Sequence, residues 1–185
     1  EVTTEVMKEF TRFDVHPVFA FQTANAWNAD QVLQINDYHK TFTHLACNGY
    51  FGHFDELKPY PWGGTPAQWK NYLSGTISSL SDELVRVKTV ADKYSLTVIG
   101  YEAGQHVICK NAAQVNEWGR IQETQVLYEL YCELIDMWFA VFGQDSVFLH
   151  YYNTGSWGSY GSWGAQRDLL DFWSPKFRAL QDKSL

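Results

Sequence analysis

Short β-branched and aromatic runs alternate along this chain with longer stretches whose apolar residues recur at i, i+3, i+4 and i+7, the pattern of strands alternating with amphipathic helices. Residues 15–22 (VHPVFAFQ) read as a first strand. Asn28 and Gln31 then form a capping-box pattern that opens a helix carrying Val32, Leu33, Ile35, Tyr38 and Phe42. A second strand covers 44–50 (HLACNGY), followed by a Gly/Pro-rich loop through Gly64. Thr65, Pro66 and Gln68 combine an N-cap, a first-turn proline and a glutamine able to reach back. The helix they open runs to Tyr94, with a break expected near Gly75 and with Leu80, Leu84, Val87 and Ala91 on one face. The third strand is 96–102. One helix of about 115–142 follows, with Leu127, Leu130, Tyr131, Leu134, Trp138 and Val141 as a core stripe, and Gly143 stops it. Residues 147–152 read as a fourth strand and about 165–172 as a last helix, interrupted by Pro175. Residues 1–13 read as the tail of a preceding helix.

The pattern predicts a single α/β domain over 1–185, with a helical tail at 1–14 and four βα units at 15–43, 44–94, 95–143 and 144–185. Consecutive units of this kind imply parallel strands and right-handed crossovers. Either an open doubly wound sheet or half of an eight-fold (β/α)8 TIM barrel accommodates them. No G-x-G-x-x-G or P-loop follows a strand, so the half-barrel is the expectation.

The most informative stretch is LTVIGYEAGQH at 96–106, where a β-branched run ends in a carboxylate. Alternation puts Glu102 on the side of Gly100 and Val98, with Tyr101, Ile99 and Thr97 opposite. An acid at the end of a buried strand is either paired structurally or used chemically, and the strand alone favours neither. Gln105 and His106 beside it weigh toward use. In a barrel the functional groups gather at the carboxyl ends of the strands, where this chain has Gln22, Asn25, Asn48, Tyr50, Glu102 and His150 to Asn153.

Composition narrows the chemistry. The 185 residues are 45% hydrophobic and 19% charged, ordinary for a globular chain, but 17% are aromatic and eight are Trp, which suits ligands with both apolar faces and hydroxyls, such as sugars. A net charge of -7 without a basic run argues against nucleic acid as a partner. No apolar stretch reaches the roughly 18 residues of a membrane span, so no membrane partner is expected. The chain opens at Glu1 without a signal-like segment, and is expected to be a processed product or an excerpt of something longer. Cys47, Cys109 and Cys132 include no C-x-x-C pair, and the six histidines show no ligand spacing, so neither a metal nor another cofactor is expected.

The order of strand endings, Asn48-Gly-Tyr50-Phe-Gly-His53, then Tyr101-Glu102-Ala-Gly-Gln-His106, then Tyr151-Tyr-Asn-Thr-Gly-Ser-Trp157, resembles the last four strands of a barrel glycoside hydrolase of the large retaining clan. The resemblance implies a secreted hydrolase acting on polysaccharide or oligosaccharide, with Glu102 as nucleophile and Tyr50 hydrogen-bonded to it. It implies Trp157, or else Trp163, as the aromatic floor of a sugar subsite, and His106, Gln22, Asn25 and His150 as further substrate-binding groups.

The chain departs from that pattern in one respect. Retaining hydrolysis needs two carboxyl groups about 5 Å apart, and no strand-end partner for Glu102 is visible. Asp55 and Glu56 read as solvated loop acids. The loop 155–164 (GSWGSYGSWG) reads either as a sugar platform or as a connection whose tryptophans cover a rim or an interface. Two rival functions follow: a non-catalytic carbohydrate-binding or structural relative, and a self-assembling half-barrel. The partner expected for such a sheet is a missing N-terminal half-barrel or another copy of the chain.

Overall fold

The computed structural model describes residues 15–184, so the helical tail expected over 1–13 lies outside the described residues. Three strands, β1 (Val18–Ala20), β2 (His44–Phe51) and β3 (Thr97–Gln105), form a parallel sheet in the order β1-β2-β3. Five α-helices accompany them among the described residues: α1 (Ala26–Gln34), α2 (Pro66–Tyr94), α3 (Ala112–Gln122), α4 (Gln125–Phe142) and α5 (Pro175–Lys183).

This corrects the expected architecture. The chain does not build four consecutive βα units, and the sheet is open rather than part of a barrel. Residues 147–152, expected as the fourth strand, meet β3 only through two isolated bridges, Ile99 with Val147 and Ala103 with His150. Between those bridges lies the β3 bulge at Tyr101, where the register against β2 slips by one residue.

The helices follow their local signals with instructive exceptions. The capping box of α2 is present: Gln68 N–H donates to the Thr65 hydroxyl at 3.3 Å, and Thr65 N–H donates to Gln68 Oε1 at 2.8 Å. The expected break at Gly75 is absent. A glycine there costs about 1 kcal/mol of helix propensity, less than the burial of Leu73 and Ile77 on either side returns. The helix expected over 115–142 is two helices instead. The Thr124 hydroxyl donates to the Ile121 carbonyl at 2.7 Å, closing α3, and α4 starts at the next residue.

The last helix lies later than expected. Over 165–172 the Asp168 and Asp171 carboxylates accept from Leu170 N–H (2.9 Å) and Arg167 N–H (3.2 Å), locking turns that compete with a helix. Pro175 then opens α5 as a first-turn residue instead of interrupting a helix. Likewise α1 begins at Ala26, which puts Asn28 inside the helix and not at its cap.

Helices α2 and α4 cover one face of the sheet. Leu45, Cys47 and Phe51 of β2 and Val98 of β3 join Leu73, Leu84, Leu130, Leu134 and Trp138 in one buried cluster. The opposite face carries His44, Ala46, Asn48 and Tyr50 of β2 with Thr97, Ile99 and Tyr101 of β3. At its edges Val18, Val147 and Leu149 remain about half exposed. Parallel sheets are ordinarily buried on both faces, so this surface is unusual for its class.

Candidate functional site

The bulge decides where Glu102 points. Cys47 pairs with Gly100 and Asn48 with Glu102, leaving Tyr101 without a partner on β2. A Cβ on Gly100 would sit 3.1 Å from the Trp138 ring, and one on Gly49 would meet both Ala103 (3.1 Å) and Trp138 (3.2 Å), so Gly100 and Ala103 both face the helical layer. Tyr101 and Glu102 between them therefore share the open face. Simple alternation, which would group Glu102 with Gly100 and Val98, does not hold through this point.

Tyr101 reaches across the sheet, its hydroxyl donating to the Phe21 carbonyl at 3.3 Å. Glu102 instead meets Tyr50 at the carboxyl end of β2. Burial pushes the Tyr50 phenol far above its usual range, and the negative charge of the adjacent Glu102 carboxylate adds to that, as does Tyr151. His106 lies with its ring 5.4 Å from that of Tyr50, and His53 lies 4.7 Å from His106. Burial holds both imidazoles below their ordinary range; His53 lowers His106 further, while Glu102 partly opposes the shift. Trp163 Nε1 donates to His106 Nδ1 at 3.4 Å, which requires that nitrogen to carry a lone pair.

One cavity reaches Tyr50 directly and a second lies beyond Tyr151. The first, of about 290 Å³, is lined by Gln22, Asn48, Tyr50, His53 and Glu83 among others. Asn48 is held in place by Thr23, whose N–H donates to its Oδ1 at 3.0 Å. The other, of about 460 Å³, is formed by Tyr151, Tyr152, Tyr160, Trp163 and the glycines of the 155–164 loop. Tyr151 joins the two, with its ring 6.3 Å from Tyr50 and 5.9 Å from Trp163.

Other candidates from the sequence lie elsewhere. Asn25 occupies an exposed turn, its amide donating to Gln22 Oε1 at 3.4 Å. His150 sits beneath the sheet end, its Nε2 3.1 Å from the Tyr131 hydroxyl, and burial drives it down to about 3, so it is a neutral packing residue there. Trp157 packs against Gly119 of α3, with the Arg167 guanidinium 5.3 Å from its ring, in a cavity separate from that of Trp163. Asp55 is an exposed loop acid that accepts from Leu57 N–H at 2.8 Å.

The aromatic loop is anchored by a group the sequence did not flag. Lys176, fully buried at the start of α5, donates to Gln122 Oε1 (2.8 Å) and to the Ser162 carbonyl (2.7 Å). The same carbonyl accepts from Gln105 Nε2 at 2.7 Å, which ties the loop to the end of β3. Burial lowers the Lys176 amine to about 7. Glu83 was also missed, because only the packing of α2 against the strand ends brings it to the site.

The cysteines are free thiols, and burial raises Cys47 to about 12 and Cys109 to about 11, which removes them as nucleophiles near neutral pH. Among the described residues no group of three or more His, Cys, Asp or Glu is placed to hold a metal ion, and no helix is long and apolar enough to cross a membrane. A scan against protein-family models and searches of curated proteins and of solved structures found no match to this chain.

Proposed function

We propose that this chain carries the nucleophile of a retaining glycoside-hydrolase-type site, with Glu102 as nucleophile, Tyr50 orienting it, and Tyr151 and Trp163 as the aromatic rim for a sugar. The observation that supports this most is the meeting of the Tyr50 phenol with the Glu102 carboxylate at the carboxyl ends of adjacent parallel strands. That is where ligands bind on such sheets. A phenolic donor keeps a carboxylate oriented and ionised, as a nucleophile requires.

In the reaction the Glu102 carboxylate attacks the anomeric carbon while an acid protonates the departing oxygen. Water then cleaves the glycosyl ester, with the same acid, now a base, taking its proton. Glu83 shares a cavity with Tyr50 and is the residue to test for that second role.

A second reading, sugar binding without turnover, draws support from one observation. Among the described residues neither cavity is lined by two carboxylates: Glu83 alone lines the smaller one and none lines the larger. The two readings separate when hydrolysis of aryl glycosides and binding of oligosaccharides are measured for the unaltered protein, Glu102→Gln, Tyr50→Phe and Glu83→Gln. The enzyme reading expects nearly all turnover lost in Glu102→Gln, a loss on the order of tenfold in Tyr50→Phe, and binding retained in both. Binding without any turnover in the unaltered protein selects the second reading, and absence of saccharide binding removes both.

A further inference from the structure

The charge pattern around Tyr50 and Glu102 bears on which sugars could enter. Among the described residues, neither cavity is lined by a lysine or an arginine. Their polar lining consists of the amides of Gln22 and Asn48, the hydroxyls of Thr23 and Ser156, tyrosine phenols, an imidazole and the Glu83 carboxylate. Such groups exchange hydrogen bonds with neutral hydroxyls as donors and as acceptors. The formal charges on this side are negative: Glu102 beside Tyr50, and Glu83 on the smaller cavity.

Histidine does not restore a positive charge. His53 and His106 are held below their ordinary range, and the Nδ1 lone pair of His106 accepts from Trp163. Among the described residues the nearby cations are engaged away from both cavities, Lys110 lying 4.9 Å from the Phe54 ring. The Lys176 amine is enclosed between Gln122 and Ser162, and Arg120 and Arg167 line the separate cavity of Trp157. Recognition of a carboxylate, sulfate or phosphate on a sugar draws on the charge-assisted donors of Arg or Lys. Here such a group would meet the Glu83 carboxylate on the smaller cavity and the Glu102 carboxylate beside Tyr50, in a partly desolvated setting where like charges repel more than in water.

We propose that the ligand of this site is a neutral glycan, whose units carry hydroxyls and no acidic group, and that the Glu102 side of the cleft rejects the corresponding uronates. This rests on the sugar-site reading above. It adds a substrate class to that reading and a reason for it, since discrimination arises as much from repulsion of the wrong ligand as from attraction of the right one.

The test uses matched oligosaccharides of gluco, manno and galacto configuration, each beside its uronate, so that the members of a pair differ only in CH2OH against carboxylate. Binding is followed by tryptophan fluorescence near neutral pH at low and high ionic strength. The neutral member of the pair that binds is expected to do so at least about tenfold more tightly. The gap should narrow at high salt, which screens repulsion, and in Glu102→Gln. The salt comparison needs no variant, so a poorly folding Glu102→Gln protein would not leave the question open. A uronate that binds as tightly as its neutral partner, or more tightly, overturns the neutral-glycan proposal and leaves the sugar site standing. No binding of any member overturns the sugar site and the proposal together.

Discussion

Asn48 stands opposite Glu102, not opposite Tyr101, in the register of β2 and β3. That one-residue slip turns Glu102 out of the helical layer and onto the open face, where Tyr50, two residues beyond Asn48, meets it. The bulge thereby converts what strand alternation would make a buried acid into an accessible one. Bulges are enriched beside functional sites for this reason: they re-aim a side chain without ending the sheet.

The two tryptophans of the 155–164 loop should behave differently. Trp163 lines the aromatic cavity and bonds to His106, so Trp163→Ala is expected to weaken oligosaccharide binding by roughly 1–3 kcal/mol with the fold intact. Trp157 packs on Gly119 and lies between Arg167 and Lys176, so Trp157→Ala should lower the melting temperature and affect sugar binding less. Titration and thermal melts of both variants check this; a larger binding loss in Trp157→Ala would contradict it.

Gly104 follows Glu102 by two residues and adopts φ +136°. An added Cβ would lie 3.0 Å from His150 Nε2 and 3.1 Å from the Tyr131 hydroxyl, both packed beneath the strand end. Gly104→Ala is expected to cost about 2 kcal/mol or more of stability. Gly75→Ala, in open space on the exposed side of α2, should instead stabilise by up to about 1 kcal/mol. Urea unfolding of the two variants gives opposite signs if the backbone at Gly104 is as described.

Stability should depend on pH through two buried bases. Lys176 titrates at about 7 in the folded chain against 10.5 ordinarily, so between those values the unfolded chain binds more protons and stability rises with pH. Below about 7 the amine is charged in both states and its penalty is present in full. His150, lowered from 6.5 to about 3, acts in the same sense in its own window: its contribution is present above 6.5 and is lost as pH falls toward 3. Urea midpoints should therefore climb between about 7 and 10, and Lys176→Met should flatten that climb. A midpoint that falls across the same range in the unaltered protein would count against the enclosed amine.

The half-exposed face bearing Val18, Val147 and Leu149 predicts association. The isolated chain should sediment as species heavier than 21.4 kDa at micromolar concentration, and lysine at Val147 and Leu149 together should shift it toward the monomer. A compact, stable monomer of the unaltered chain would refute this.

Much of the local structure was legible in the sequence because local interactions create it. The Thr65 and Gln68 capping box, the buried α4 stripe of Leu127, Leu130, Tyr131, Leu134 and Trp138, and β2 over His44–Phe51 all follow from short-range pattern. The errors arose where tertiary contacts or side-chain turns intervene. Thr124 divides a continuous amphipathic pattern by bonding back to Ile121, and Asp168 and Asp171 hold turns where apolar spacing suggested a helix. Whether a run of strands closes on itself depends on ladders between strands. Neither the slip at Tyr101 nor the reduction of the fourth run to two isolated bridges leaves a mark in hydrophobic periodicity. The nearness of Tyr50 to Glu102 was implied only by the resemblance of the strand endings, whereas the separation of Trp157 from Trp163 depends on how a glycine-rich loop folds back, which composition does not encode.

If Glu102 attacks a sugar with Tyr50 holding it, covalent trapping will mark that carboxylate. The protein is incubated with a set of neutral 2-deoxy-2-fluoro glycosides carrying good leaving groups, which slow hydrolysis of the glycosyl ester more than its formation, and is then digested and mapped by mass spectrometry. One fluoroglycosyl group is expected on the peptide containing Glu102, with none on the same peptide of Glu102→Gln. A label on another carboxylate, or undiminished glycoside hydrolysis by Glu102→Gln, would rule Glu102 out as the nucleophile.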